Sequence, residues 1–325
     1  MIVDLGSIQK EVKVAYDRIC GLVHHTSLIH SFELSKLING KVYLKCENEQ
    51  YTGSFKARGS LNKIISLTEE KRQQGLVTAS TGNHALGFSR ALALTQTKGT
   101  VFLPKKASET KIKALSHYPV ELVRHDGDSL ATELHAKENA KKTNRVWMSP
   151  YNDMQVLAGQ GTIAIEIFQE LDHVDALLAT VGGGGLISGI GGYMKSIQPD
   201  IQIIGCQPQN SPEMTLSIKA GEIVDLPEFI ETLSDGSAGG IEPDAITFPI
   251  CQKIIDRSIL VNEEEIKDGI RHVFHQNKKV IEGSAGVAVA SLIKHAKELK
   301  GKTVVVVLCG SNIDSQKFIE IISKT

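Results

Sequence analysis

The chain has 325 residues, enough for about two domains at roughly 150 residues each. Hydrophobic residues make up 41% and charged residues 22%, the proportions of an ordinary globular protein. Its 36 Lys+Arg offset 37 Asp+Glu, which speaks against nucleic acid or an anionic membrane as the main partner. Five widely spaced cysteines with no CxxC pair suggest neither a disulfide framework nor a zinc site, so a reducing, cytoplasmic location is expected. The first 19 residues carry charges every few positions, unlike the apolar core of an export signal. No apolar run approaches the ~18 residues that span a bilayer, so no membrane partner is expected.

In chain order, KVYLKCE (41–47) predicts a strand and LNKIISLTEEKRQ (61–73) a helix. LVTAS (76–80) predicts a strand and ALGFSRALAL (85–94) a helix. Strands beginning near 100, 120 and 146 follow, with helical stretches between them. DALLATV (175–181), IQIIGCQ (201–207) and TVVVVLC (303–309) predict further strands; ALLATV and VVVV are continuously apolar, as strands buried on both faces are. Asn262 with Glu265 predicts a capping box opening a helix. Strands alternating with helices imply βαβ units and parallel sheets. Ligands then bind beyond the carboxyl ends of strands, which directs attention to the polar loops there.

Four loops carry chemistry. Gly182, Gly183, Gly184 and Gly185 lie between a strand and a helix, where bare backbone N–H groups and the helix N-terminus suit a phosphate. Neither G-x-G-x-x-G nor GK[ST] fits there, so a small phosphorylated cofactor is favoured over a nucleotide. Lys56, in SFKARGS, is ordinarily read as a surface charge; in a desolvated cleft its amine would be a base or nucleophile. In ASTGNHALG, Ser80 and Thr81 are expected helix caps, with the N–H groups of Gly82, Asn83 and His84 free to hold a carboxylate. The loop at Cys309-Gly310-Ser311-Asn312 ends the last strand and faces the same cleft.

Taken in this order, SFKARG, STGNHALG, GGGG, EGSAG and CGSN resemble the fold type II pyridoxal-phosphate enzymes, and among them the serine/threonine dehydratase and serine racemase group. YNDMQVLAGQGTIAIEI (151–167) is similar to the segment that re-enters the large domain of these enzymes. The resemblance covers nearly the whole chain. It implies an α/β fold of two open parallel-sheet domains, like the β subunit of tryptophan synthase, with the smaller inserted in the larger. Residues 1–66 and 153–325 would form the large domain and 67–152 the small, mobile one.

The resemblance also implies roles. Lys56 matches the lysine that forms a Schiff base with pyridoxal 5'-phosphate, with Phe55 beside it, and Gly182 to Gly185 match the phosphate-binding glycines. Asn83 matches the amide on the cofactor's 3-hydroxyl, and Glu282 a position beside the ring. Ser80, Thr81, Gly82, Asn83 and His84 match the loop that grips the substrate carboxylate. Cys309 stands where a serine usually meets the ring nitrogen; its thiol is a weak donor. Thr81 stands where racemases carry the opposite-face acid. The group's divalent-cation site loses a carboxylate at Gln207 and keeps Glu213, so no metal residue is assigned and cation dependence stays open. The implied activity is an ammonia-lyase turning L-threonine or L-serine into a 2-oxo acid and ammonia. The alternatives are a lyase for 3-hydroxyaspartate or a hydroxylated diamino acid, or a serine racemase. The implied partners are a small amino-acid substrate and further copies of the chain, as a homodimer or larger.

Overall fold

A computed structural model describes residues 4–226 and 228–323. Residues 1–3, which open the segment read as lacking an export signal, lie outside them. The strands are β1 (Leu28–His30), β2 (Lys41–Lys45), β3 (Leu76–Ala79), β4 (Gly99–Pro104) and β5 (Glu121–His125), followed by β6 (Val146–Trp147), β7 (Ala176–Thr180), β8 (Gln202–Pro208), β9 (Arg257–Val261) and β10 (Thr303–Val307). They form two sheets, ordered β1-β2-β10-β7-β8-β9 and β5-β4-β3-β6. All neighbours are parallel except β1, which runs antiparallel to β2. The fold is thus α/β, with two open sheets that are almost wholly parallel. No helix among the described residues is long and apolar enough to cross a membrane.

The apolar strands lie at the centre of the larger sheet. Every residue of β7 is buried, and β10 places Val304 and Val306 between Val42 and Leu44 of β2 on one side and Ala176 and Leu178 of β7 on the other. The helix Met154–Glu170 runs from the smaller sheet back into the larger core. It meets the helix Lys56–Ser66 at paired glycines: a Cβ on Gly159 would lie 2.7 Å from the Cα of Gly59. Only bare backbones pack that closely, which explains glycines inside two helices whose propensity they lower. Leu61 and Ile64 of the helix Lys56–Ser66 belong to the smaller core, so the helix that begins at Lys56 touches both sheets' surroundings.

Local expectations fare unevenly. Asn262 and Glu265 form the capping box, exchanging bonds of 2.8 and 2.9 Å. The single helix expected over 61–73 is two: Leu67 is extended, and the Thr68 hydroxyl caps a second helix, Glu69–Gln73, by accepting from the N–H of Lys71. A hydroxyl that competes for backbone N–H groups starts a new helix more readily than it continues one. The strand near 146 shrinks to two residues.

Candidate active site

Three loops at the carboxyl ends of β3, β7 and β10 and the start of the helix Lys56–Ser66 meet at one cleft. Two short 3-10 turns, Glu47–Glu49 and Tyr51–Gly53, lead into that helix. Thr52 and Gly53 are both left-handed there, at φ 63° and 72°, and turn the chain sharply. Phe55 donates its N–H to the carbonyl of Cys309 at 3.2 Å, and Ser54 bridges Gly310, so Lys56 is anchored against the end of β10. The Lys56 amine donates to the Pro150 carbonyl at 2.8 Å and lies 5.2 Å from the Phe55 ring. Burial lowers this amine to about 8, while Cys309 and Glu282 nearby pull the other way.

The opposite wall is an interlocked set of side chains. Asn83 begins the helix Asn83–Thr95 and donates through Nδ2 to both carboxylate oxygens of Glu282, at 2.8 and 3.0 Å. Asn312 donates its N–H to Glu282 at 3.0 Å and its Nδ2 to the Asn83 Oδ1 at 2.6 Å. Burial raises Glu282 to about 7, against the lowering effect of the Asn83 bond. Cys309 is buried beside Glu282, and burial first, then the Glu282 charge, push its thiol well up, so it remains protonated.

The structure revises the carboxylate loop. Gly82, not Ser80 or Thr81, is the N-cap of the helix, and no side chain caps it. The N–H of Gly82 is already engaged by the Ser80 hydroxyl at 3.2 Å, which leaves those of Asn83 and His84 to hold an anion. The His84 ring turns inward: it is buried, bonds the Thr78 hydroxyl at 2.9 Å and is lowered by burial to about 3. It is therefore a neutral core group whose contribution to the loop is backbone only. Thr81 is partly buried, and its hydroxyl has no hydrogen-bond partner among the described residues.

At the end of β7, Gly184 takes φ 86° and caps the helix Gly185–Ile197 without a side chain. A Cβ there would meet the Cys251 sulfur at 2.7 Å, and one at Gly183 would meet the Tyr151 ring at 2.6 Å. The loop is thus a close-walled cradle of backbone, lidded by Tyr151, at a helix N-terminus. That is what a phosphate needs, and with the Lys56 amine and the Asn83 amide it fits a phosphorylated aldehyde cofactor.

The residues near Gln207 do not fit a cation. Gln207 donates Nε2 to the Ser211 carbonyl at 3.2 Å and accepts the N–H and hydroxyl of Thr215 at 2.7 and 2.6 Å, while Glu213 accepts the Ser211 hydroxyl at 2.6 Å. Both ends of the Gln207 amide are occupied within the loop, and it brings no charge to a cation. Among the described residues no group of three His, Cys, Asp or Glu is arranged to hold a metal.

The cleft therefore gathers Lys56, Phe55, Asn83, Glu282, Cys309 and the glycine loop, and leaves the His84 ring out. Sequence reading gave no role to Asn312, Tyr151 or the Pro150 carbonyl. Asn312 was within reach, since it ends the CGSN loop; a backbone carbonyl leaves no trace in the residue type.

Comparison with known proteins agrees with this geometry. Residues 19–310 match the family described as pyridoxal-phosphate dependent enzyme. The chain is 39% identical to the L-threonine ammonia-lyase of Thermotoga maritima over 97% of this chain and 78% of that one. It is similar in structure to threonine deaminase isoform 2 of Solanum lycopersicum (TM-score 0.92, 30% identity, 98% of this chain and 92% of that one). It is also similar to serine racemase of Dictyostelium discoideum (TM-score 0.87, 33% identity, 94% and 98%). With a family match across most of its length, the chain belongs to the pyridoxal-phosphate dependent enzymes of fold type II, with pyridoxal 5'-phosphate as cofactor.

Proposed function

We propose that this enzyme is an ammonia-lyase that converts a β-hydroxy L-amino acid, L-threonine or L-serine first, to a 2-oxo acid and ammonia. The observation that carries the reading is the Lys56 amine, lowered to about 8 and held by one neutral carbonyl between the glycine cradle and the helix at Asn83. The L-threonine ammonia-lyase relative supports the substrate.

When bound, the cofactor supplies an electron sink for negative charge developing at the substrate Cα. Gly182 to Gly185 hold its phosphate, and the Asn83–Glu282–Asn312 set fixes the amide that faces its ring. Cys309, a buried protonated thiol, would offer the cofactor's ring nitrogen only a weak donor, which would favour elimination over reprotonation. The N–H groups of Asn83 and His84 hold the substrate carboxylate. The Lys56 amine would take the Cα proton, and burial favours its neutral, basic form. Loss of the β-hydroxyl and hydrolysis then give the 2-oxo acid and ammonia. The small domain, residues 67–152, closes over these groups and excludes water. The five free cysteines suit a reducing compartment such as the cytoplasm. The exposed Phe32 and Leu37 on the helix Phe32–Ile38 suit a homodimer or larger, which light scattering would decide.

The test is proton NMR in heavy water with the cofactor and, separately, L-threonine, L-serine and 3-hydroxyaspartate. A 2-oxo acid from the first or second tube is expected, and its absence from both would overturn the substrate assignment. One observation favours a second reading, serine racemase: the unpartnered Thr81 hydroxyl could serve the opposite face of Cα. Thr81→Ala separates the two readings: a racemase should lose racemisation in that variant and keep elimination, whereas a lyase should keep elimination with no racemisation to lose.

A further inference from the structure

The chain crosses from β6 to the helix Met154–Glu170 through Ser149, Pro150, Tyr151 and Asn152, and one distant residue grips nearly all of this crossover. Glu242 accepts from the Ser149 hydroxyl at 3.1 Å and from the Asn152 Nδ2 at 3.2 Å. Its own N–H donates to the Tyr151 hydroxyl at 2.8 Å. Four residues on, the Ile246 N–H donates to the Asn152 Oδ1 at 2.9 Å. The same carboxylate accepts from Lys137 at 2.9 Å, and Lys137 projects from the helix Ser129–Lys142, which packs on the smaller sheet. Lys137 also pairs with Glu133 and lies 5.5 Å from the ring of Trp147, in β6.

What Glu242 grips is what the site depends on. Tyr151 is the lid on Gly183 and Gly185, and the Pro150 carbonyl is the only group that the Lys56 amine bonds among the described residues. Release of the crossover would loosen the phosphate cradle and the base together, and would also uncouple the small domain. We propose that Glu242 is a positioning residue: with Lys137 it clamps the 149–152 crossover, seats Tyr151 on the glycine loop and aims Lys56 through Pro150. The clamp joins the helix Ser129–Lys142, which packs on the smaller sheet, to the 149–152 crossover. This inference rests on the reading of the cleft as the cofactor site.

The experiment uses the full-length holoenzyme and the variants Glu242→Gln and Glu242→Ala, with Glu138→Gln, an exposed residue of the same helix, as the control. Cofactor affinity is measured by titrating pyridoxal 5'-phosphate into the apoenzyme and following its visible absorbance. Closure is read from tryptophan emission, because Trp147 is the only tryptophan and lies under Lys137. Glu242→Ala should weaken cofactor binding by roughly tenfold or more, as expected for losing a charge-assisted bond and its partners. Substrate should no longer change its Trp147 emission, and kcat should fall more than KM rises. Glu242→Gln keeps its size and an oxygen for the Ser149 hydroxyl, while the Tyr151 bond, made by the backbone N–H, persists in both variants; the glutamine should lose mainly the emission change. It decides the matter if the alanine variant does not fold. Parental cofactor affinity and parental emission in the folded glutamine variant would overturn the proposal. Failure of the parent itself to bind the cofactor would instead overturn the reading of the cleft.

Discussion

Lys45 is fully buried and Lys56 partly so, and they stand for two different uses of burial. The Lys45 amine is fully buried, donating to the Thr26 carbonyl and to Glu166, each at 2.6 Å. Glu166 and Glu47 in turn hold Arg58, every donor of which is engaged. Two cations thus face two carboxylates, and the pairing keeps Glu166 ionised, its carboxyl lowered by Arg58 and Lys45 against the opposing effect of burial. Lys56 is two residues from Arg58 in the same helix but on another face, as positions i and i+2 are. Its amine meets one carbonyl and no carboxylate, so burial destabilises its charge. A buried cation with matched partners is structure; a buried amine without them is a reagent.

The largest effects come from breaking each member of this comparison. Lys56→Ala should reduce turnover by about 10^4-fold or more while the melting temperature holds or rises, since a desolvated amine is lost. Arg58→Met should do the reverse. It leaves Glu47 and Glu166 buried and uncompensated, costing about 3–5 kcal/mol in denaturant titrations, with cofactor binding retained in the folded fraction. If Arg58→Met abolished turnover without loss of stability, the division between the two clusters would fail.

A smaller, pH-dependent effect sharpens the comparison at Glu282. Its carboxyl stands at about 7 in the folded protein, above the ordinary 4.5, because burial disfavours the ion. A raised carboxyl favours folding below the unfolded value and loses that contribution as pH rises through 7. The apoenzyme should therefore lose stability relative to Glu282→Gln as pH rises from 5 to 9. The shift should be about 2–3 kcal/mol, read from melting curves of both proteins across that range. A constant difference between the two would mean that Asn83 and Asn312 hold Glu282 as firmly as Arg58 holds Glu166.

Much of the fold was readable because its signals are local. Continuous apolar runs marked β7 and β10, and polar loops marked their carboxyl ends, where the cleft lies. The three-residue edge strand β1 and the short, half-buried β9 went unread. The site was readable where chemistry lies in a side chain next to glycines, as at Lys56 and Gly182 to Gly185. It was unreadable where the partner is a backbone carbonyl, as at Pro150, or lies far along the chain, as Glu242 does from Tyr151. His84 shows the converse: a polar residue in the right loop turns its ring into the core, because the helix it opens fixes the direction of its Cβ.

The smallest effect expected is on metal removal, and its smallness has a definite cause. Gln207 is buried and uses both ends of its amide to close the turn before the helix Glu213–Ala220: Nε2 on the Ser211 carbonyl, Oε1 on Thr215. A neutral amide thus satisfies the Ser211 carbonyl. Chelation should leave the melting temperature and turnover of the parent unchanged. Gln207→Glu replaces the donor with an acceptor and sets it against the Ser211 carbonyl, close to Glu213, at a cost of about 1–3 kcal/mol. Oxygen ligands in that arrangement suit a hard divalent ion, so Mg2+ or Ca2+ should restore what the variant loses, by binding only the folded state. A parent that loses stability in chelator would show that the amide does not replace the ion.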